Sequence, residues 1–400
     1  MKVINETMVD ASIVGFGFYY EKKVEVPAVE LFKRSIIEAI KMANMEKDEI
    51  DGLVVTAVPG TIDNSHDTGI FLINKVASKV GINKLNYFDY VYTGGSSIVV
   101  GTYRAFKAVE SGLANNVLVV GGGKGNLLKR IRSSMFESTI KNYVNEGVTY
   151  YELTIPTIEF YPTSDYALIA NRYMREHNTD DSGRAMIAVK QRENANLNPK
   201  AIYRGKLTLK DVLESPMVSY PLRLLEVTNP VDGALAILVS KNASKSSISP
   251  IKLMGFGEAT LTIPLAEREN ILDTPVKHSV RRALNSLNLD KIDYYGIYDA
   301  YTIMVLLEIE GIGLADNGKG GEFVMGDSFL PTSSYPINTS GGSLNVGQVG
   351  FTSGGVVLAE ALYQLAGLAE NRQVKDARIA LVNTLGGVFD HSATIVLGVE

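Results

Sequence analysis

The hydroxyl side chains that could attack a carbonyl lie in one short run beside two glycines. Residues 92–97 read Tyr-Thr-Gly-Gly-Ser-Ser, and an apolar helical pattern follows them. A hydroxyl attacks only when a neighbouring base removes its proton, because its own pKa lies far above neutrality. Serine is also a favoured residue at the start of a helix. We therefore expect Ser96 and Ser97 to cap a helix that begins near Ile98, with nucleophilic attack as the alternative.

The other residues that usually perform acid–base, redox or metal chemistry are scarce. The chain has no cysteine, which excludes disulfides, thiolate metal sites, iron–sulfur clusters and a cysteine nucleophile. The four histidines show no metal-ligand spacing, so we expect no metal site; they are His66, His177, His278 and His391. His391 follows Gly386-Gly387. We expect it to end a loop before a last strand at 393–397, with a catalytic role as the alternative.

The elements that must position these residues occur twice along the chain. Gly-Phe-Gly closes an apolar run at 15–17 and again at 255–257, about 240 residues later. A helical pattern follows each copy, within 35–53 and within 279–297. Each half later has a glycine-led helix and a buried strand that ends in glycines. Strands alternating with helices indicate parallel sheets that are covered on both faces.

This duplication predicts an α/β fold with two βαβαβαββ-type halves in a five-layer αβαβα arrangement. We place the N-terminal half at 1–245 and the C-terminal half at 246–400. The segment at about 124–220 lacks the repeated pattern and is rich in tyrosine, threonine and charged residues at its start. We interpret it as an insertion that covers one face of the first half, as a binding wall or lid does.

Composition excludes several classes of function. The chain carries 39 basic and 44 acidic residues, and no basic stretch alternates with aromatic residues, so nucleic acid is not expected as a partner. Its longest apolar runs, such as 117–120 and 379–382, have the length of strands and are too short to cross a membrane. The first ten residues lack the apolar core of a signal peptide. A cytoplasmic protein is therefore expected.

Several motifs, taken in order, resemble the sterol-carrier-type branch of the thiolase superfamily, which includes archaeal and bacterial proteins related to acetyl-CoA acetyltransferases. The resemblance covers essentially the whole chain. The motifs that carry it are EIDGLVV (49–55), LTLKDVLESPMVSYPL (207–222), VDGALAILVS (231–240), YDAYTIMVLLEIEGIG (298–313), NTSGGSLNVGQ (338–348) and LGGVFDHSATIVLG (385–398).

The resemblance implies an active site between the two halves, with a nucleophilic cysteine at the amino end of a buried helix. In this chain the nucleophile position falls on Tyr92, or on Thr93 if the alignment shifts by one residue. Tyr298 stands where the family has His or Asn, and Gln348 stands in place of the histidine of a Gly-His-Pro-like turn. Thr384 occupies the position of the second cysteine. The implied catalytic set is thus replaced at every position.

We therefore expect a thiolase-like protein that binds acyl-CoA or an acyl group, or supports a complex, rather than one with cysteine-dependent thiolase activity. The alternative is an acyltransferase or decarboxylase with a non-cysteine mechanism, so whether the chain is an enzyme stays open at this point. No cofactor is expected, although a coenzyme A thioester is a possible ligand. Lys124, Lys129, Arg130 and Arg132 are candidates to contact its phosphates, with an ordinary solvated helix as the alternative. The family also implies a homodimer, a small OB-fold/zinc-ribbon partner protein and a condensing synthase.

Overall fold

Two mixed β-sheets form the middle of the molecule. The computed structural model describes residues 10–56, 69–125, 162–263, 265–285, 287–349 and 354–400. In this part of the chain the first sheet has the order β1-β7-β4-β2-β3, and the short β12 adds to β7. Its strands are β1 (Ser12–Glu21), β2 (Gly52–Val55), β3 (Tyr87–Tyr90), β4 (Asn116–Gly123), β7 (Pro230–Ser240) and β12 (Gln348–Val349).

The second sheet repeats the strand order of the first. Its order is β8-β14-β13-β9, with β14 antiparallel to both neighbours and β9 parallel to β13. These strands correspond in order and direction to β1, β7, β4 and β2. The bounds are β8 (Lys252–Thr260), β9 (Tyr294–Ile297), β13 (Ile379–Gly386) and β14 (His391–Gly398).

Two helical layers cover the outer faces of the two sheets, and a third layer lies between the sheets. Helices α1 (Ala28–Met42) and α2 (Gly69–Val80) share one apolar core with the outer face of the first sheet. Helices α3 (Ser97–Glu110) and α11 (Gly354–Leu365) lie between the sheets and share a core with both. Helices α7 (Val276–Leu284) and α8 (Thr302–Ile312) cover the outer face of the second sheet. The predicted five-layer αβαβα fold is therefore confirmed.

The two long helices of the non-repeated segment that the structure describes pack on the second half. Its described part includes α4 (Pro162–His177), α5 (Ser182–Leu197), α6 (Leu209–Glu214), β5 (Met217–Ser219) and β6 (Leu222–Arg223). Tyr173 and Ile187 of this segment belong to the core formed by α7, α8 and the second sheet. The prediction that the segment covers the first half is wrong for α4 and α5, because apolar residues of both share a core with α8.

A buried ion pair fixes this segment. Arg184 of α5 donates from Nε to Oε1 of Glu226 at 2.6 Å, and both side chains are almost fully buried. The same carboxylate oxygen accepts a hydrogen bond from the Thr302 hydroxyl, at 2.9 Å, at the start of α8. The pair thus ties the covering helices to the second half. In the described ranges, no helix combines the length and the apolar character that crossing a membrane requires.

The remaining short elements come from the second half and lie beside α5. They are α9 (Gly320–Met325), β10 (Ser328–Phe329), β11 (Tyr335–Pro336) and α10 (Gly342–Val346). Helix α10 begins with backbone N–H groups that donate to the Asp299 carboxylate, at 2.8 Å from Ser343 and 3.0 Å from Leu344. The Asp299 side chain thus orients the start of α10 through two backbone amides.

Candidate functional site

The amino ends of the two buried helices meet the carboxyl ends of β9 and β13. A Cβ atom at Gly95, just before α3, would lie 2.7 Å from Cε1 of Tyr298, which follows β9. A Cβ atom at Gly354, the first residue of α11, would lie 2.4 Å from the Gly95 carbonyl oxygen and 2.6 Å from Cγ2 of Thr384. Only glycine permits these approaches, so the glycine pairs allow four chain segments to converge at one point.

The turn before α3 places this helix end within the junction. Gly94 has a positive φ of 65°, which glycine adopts without strain. The Thr93 N–H donates to the Ser97 hydroxyl at 2.9 Å, and that hydroxyl donates to the Gly94 carbonyl at 2.7 Å. These contacts hold a tight turn ahead of a helix that begins at Ser97. The partial positive charge of a helix amino end favours negative charge on a group held there.

The structure brings together two of the four positions matched to the family's catalytic set. Tyr298 is 6% exposed and packs on the α3 turn, and Thr384 is buried beside it with its hydroxyl donating to the Ala393 carbonyl at 3.1 Å. Gln348 begins β12, where its N–H donates to the Asn229 carbonyl at 2.7 Å. Tyr92 is 53% exposed on the loop after β3. The roles of all four residues stay predictions.

Of the four candidate phosphate-binding residues, Lys124 alone lies in the part of the chain that the structure describes. Lys124 forms an ion pair with Asp232 at 3.0 Å and donates to the carbonyl oxygens of Val24 and Val26. It thus joins the end of β4 to neighbouring backbone. Lys129, Arg130 and Arg132 lie outside the described residues. Phosphate contact by these four residues stays a prediction.

A buried carboxyl group lies directly behind Tyr298. Oε2 of Glu308, on α8, accepts the Tyr298 N–H at 3.3 Å. Burial raises the pKa of the Glu308 carboxyl well above its ordinary value. Burial likewise raises the pKa of Asp299 to about 6, although its backbone and Gln191 hydrogen bonds act in the opposite direction. The Tyr298 backbone and the Asp299 side chain are therefore held by buried hydrogen bonds.

Aromatic side chains line the junction on the side of the covering segment. Tyr166 of α4 stacks on Tyr301 with 4.5 Å between ring centroids and contacts the ring edge of Phe389. Its hydroxyl donates to the Gly387 carbonyl at 2.9 Å, next to the α3 turn. Burial raises the pKa of Tyr166 well above its ordinary value, with a smaller contribution from Tyr298. This apolar wall supports the interpretation that the covering segment borders the site.

One constellation was not predicted from the sequence. Ser96 does not cap α3 with its side chain; its hydroxyl lies 2.7 Å from Nδ1 of His391. Nε2 of the same imidazole lies 2.7 Å from Oε1 of Glu258 on β8. His391 is the first residue of β14 rather than a loop end before it. The expectation of a capping role for Ser96 is therefore wrong, because its hydroxyl is directed to the second sheet.

Fold and site together define a two-half α/β protein whose site lies between the halves at the end of a buried helix. Residues 7–207 match the thiolase N-terminal domain family, and residues 257–399 match the thiolase C-terminal domain-like family. The chain belongs to the thiolase superfamily, as the resemblance predicted.

Individual relatives agree with this assignment. Acetyl-CoA acetyltransferase of Methanothermobacter thermautotrophicus is 32% identical over 56% of this chain and 59% of its own length. The steroid side-chain-cleaving aldolase of Thermomonospora curvata is 27% identical over 98% of both chains. The solved structure of the Ltp2-ChsH2(DUF35) aldolase superposes with a TM-score of 0.80 at 23% identity and covers 98% of both chains. The chain thus spans somewhat over half the length of the acetyltransferase and nearly all of the aldolase.

Proposed function

We propose that the protein binds a coenzyme A thioester between its halves and cleaves a carbon–carbon bond in it without a covalent acyl-enzyme. The observation that carries the proposal is the position of Tyr298, whose ring packs on Gly95 at the amino end of α3. A phenol donates a hydrogen bond but is a weak nucleophile without a strong base. Such a group suits the polarisation of a thioester carbonyl.

The chemistry follows from where negative charge develops. When a β-hydroxyacyl thioester loses its hydroxyl proton, the bond between the α and β carbons breaks and its electrons pass to the thioester carbonyl. The products are an aldehyde or ketone and a thioester enolate, which takes one proton at the α carbon. A hydrogen bond from Tyr298 and the dipole of α3 both stabilise the enolate oxygen. Their effect is larger on the enolate than on the neutral thioester.

One relative and the absence of cysteine support this reaction class over acyl transfer. The Thermomonospora curvata relative, which aligns over nearly the whole chain, is an aldolase that cleaves steroid side chains. This chain has no cysteine to carry an acyl group, whereas a retro-aldol step needs none. The superposed aldolase structure pairs Ltp2 with a DUF35 protein, ChsH2, which supports the predicted small partner protein. We extend such a partner to this chain.

A non-catalytic role as an acyl-CoA-binding or complex-supporting protein is the second candidate. This role is favoured because, at two predicted site positions, a hydroxyl and an ammonium group form a hydrogen bond and an ion pair with other groups of the protein. Thr384 donates to a carbonyl of the adjacent strand, and Lys124 pairs with Asp232. In this case acyl-CoA raises the melting temperature, and no product forms.

The predicted homodimer is also part of the proposal. Within the described residues, β3 is an edge strand that pairs with β2 alone, and its Phe88 is half exposed. An edge strand with an exposed aromatic residue is suited to pairing with a second copy. Sedimentation equilibrium should give the mass of a dimer, and Phe88→Lys should shift it to the monomer.

Product analysis tests the proposed reaction. The protein is incubated with β-hydroxyacyl-CoA thioesters of increasing size, and both fragments are measured by mass spectrometry. We expect cleavage by the unmodified chain and a loss of about 100-fold in Tyr298→Phe, comparable to the loss of one oxyanion donor. Tyr220→Phe, at an exposed tyrosine, is the matched control. Equal rates in the Tyr298 and Tyr220 variants would exclude the role of Tyr298, and binding without cleavage would favour the second candidate.

A further inference from the structure

A continuous series of hydrogen-bonding side chains runs from the α3 turn to the protein surface. The Thr93 hydroxyl lies 3.1 Å from the Ser96 hydroxyl, which lies 2.7 Å from Nδ1 of His391. Nε2 of His391 then lies 2.7 Å from Oε1 of Glu258. Ser96 is fully buried and His391 is 8% exposed, whereas the Glu258 side chain is 38% exposed. Thr93 is partly exposed at the other end, so the series connects the candidate site with solvent.

The chemistry of the carboxylate sets the direction of the hydrogen bond between His391 and Glu258. The hydrogen bond from His391 lowers the pKa of the Glu258 carboxyl, against the opposing effect of partial burial. An ionised carboxylate only accepts hydrogen bonds, so Nε2 of His391 carries a proton. In neutral imidazole the other nitrogen, Nδ1, is then an acceptor for the Ser96 hydroxyl. The Thr93 carbonyl, 2.7 Å from the Ser96 oxygen, is the competing acceptor.

The series is assembled from both halves of the fold. Thr93 and Ser96 precede the buried helix of the first half, whereas His391 and Glu258 lie on adjacent strands of the second sheet. Charged groups nearby include Arg104 of α3, which lowers the Glu258 pKa, and Arg282 of α7, which donates to the Glu258 carbonyl. Asp390 is held by Arg268 at 2.6 Å. Arg104 is itself paired with Asp89 at 2.9 Å.

We propose that Thr93, Ser96, His391 and Glu258 form a proton relay for a substrate held at the amino end of α3. The Thr93 hydroxyl, at one of the two positions matched to the family's nucleophile, exchanges the proton with the substrate. The other three residues position and carry that proton. The reaction that the relay serves is the proposed retro-aldol cleavage, so the relay rests on the proposed function. It supplies a base that Gln348, at the family's histidine position, does not supply.

The proton and electron transfers balance within one turnover. In the resting protein the Ser96 hydroxyl donates to the Thr93 hydroxyl at 3.1 Å, so the two hydroxyls first turn until Thr93 donates to Ser96 and Ser96 donates to Nδ1 of His391. The substrate hydroxyl proton then passes to the Thr93 oxygen while the Thr93 proton passes to Ser96 and the Ser96 proton to Nδ1 of His391. The carbon–carbon bond breaks, and its electrons move to the thioester carbonyl. The imidazolium of His391 is stabilised by Glu258 until the proton returns along the same path to the α carbon of the enolate. No oxidant, metal or further reactant is consumed.

Substitution and chemical rescue test the relay on the whole 400-residue chain. With a β-hydroxyacyl-CoA that the unmodified protein cleaves, His391→Gln should lower kcat by about 100-fold or more and leave KM nearly unchanged. Free imidazole should restore part of the rate to His391→Ala. The control His278→Gln, at an exposed histidine of α7, should leave the rate unchanged. Full activity in His391→Gln, or no imidazole rescue in a folded His391→Ala protein, would overturn the relay.

Two further readouts separate the relay from the proposed function. In ¹⁵N spectra of histidine-labelled protein without substrate, His391 should show a protonated Nε2 and an acceptor Nδ1, and Ser96→Ala should alter the Nδ1 signal. Protonation of Nδ1 in the ligand-free protein at neutral pH would overturn the relay even if no thioester is cleaved. An acyl adduct on Thr93 or Ser96 in the intact mass would overturn it in favour of covalent catalysis. Loss of activity in Tyr298→Phe but not in His391→Gln would leave the proposed function and remove the relay.

Discussion

The two Gly-Phe-Gly motifs occupy equivalent places in the two halves and share one physical cause. A Cβ atom at Gly17 would lie 2.2 Å from the Ser35 carbonyl of α1, and one at Gly257 would lie 1.9 Å from the Ser279 carbonyl of α7. In each half the outer helix therefore packs directly on the backbone of the first strand. The repeated residues are those on which the layered scaffold depends.

The phenylalanines between these glycines extend the comparison across the two halves. Phe16 of the first sheet contacts Tyr363 of α11 edge-on, with 5.0 Å between centroids. Phe256 of the second sheet stacks on Tyr103 of α3 at 3.8 Å. Each sheet thus packs on the inner helix of the other half. By contrast, the glycine pair at the start of α3 is followed by Ser96-Ser97, whereas the glycine pair at the start of α11 is followed by Val356-Val357. The scaffold is duplicated, whereas the candidate chemistry occurs once.

The largest effect is expected in the covering segment, which has no copy in the second half. Arg184→Met leaves Glu226 buried without its cation, and this should lower the free energy of unfolding by about 3–5 kcal/mol. Denaturant unfolding measures the loss. In the double variant Arg184→Met/Glu226→Met most of the stability should return, because both charges are removed. A loss below about 1 kcal/mol in the single variant would show that the pair does not anchor the segment.

Alanine at the equivalent glycines tests whether the two halves share the same close contact. Gly17→Ala and Gly257→Ala should each lower the free energy of unfolding by about 2–3 kcal/mol, since a methyl group would overlap a helix carbonyl. Gly321→Ala is the control, because its Cβ atom would meet its nearest neighbour at an ordinary 3.4 Å. If alanine lowered the free energy of unfolding in one half only, the two glycines would not share the same close contact.

The smallest effect concerns the pH dependence of stability at the second-half side of the site. Burial raises the pKa of Asp299 to about 6, so between about pH 4 and pH 6 the native state binds more protons than the unfolded state. Asp299 contributes its full stabilisation below the pKa that it has in the unfolded chain, and this contribution is lost as pH rises through about 6. Asp299→Asn should remove a slope of at most about 1.4 kcal/mol per pH unit from this window. Asp273→Asn, at an exposed aspartate, should keep the wild-type slope; an unchanged slope in Asp299→Asn would contradict the assignment.

The sequence predicts well what is local or repeated. Gly-Phe-Gly, the helical patterns and the glycine-ended strands each reflect contacts with the nearest elements, so the five layers follow from them. The site was predictable only in part. Tyr298 and Thr384 both lie near the α3 turn, and their roles stay predictions. The Ser96–His391 contact joins residues 295 positions apart. No local pattern encodes that contact, and the serine's preference for helix starts favoured the wrong role.

The position of the covering helices also could not be predicted from the sequence. Their apolar residues indicate that one face is buried, but they do not specify which half receives it. That choice depends on specific partners, such as the Tyr173 hydroxyl that donates to Glu310 of α8 and Arg184 that pairs with Glu226. The division of the chain at residues 245 and 246 stays a prediction.

Polarisation of a thioester carbonyl without attack on it distinguishes the proposed function from acyl transfer. It can be observed in the ¹³C spectrum of an acyl-CoA, labelled at the thioester carbonyl, in the presence of excess protein. We predict a bound thioester signal that is shifted downfield from free acyl-CoA, with most of this shift lost in Tyr298→Phe. A bound signal at the free position, or the signal of a new acyl ester to the protein, would contradict the proposal.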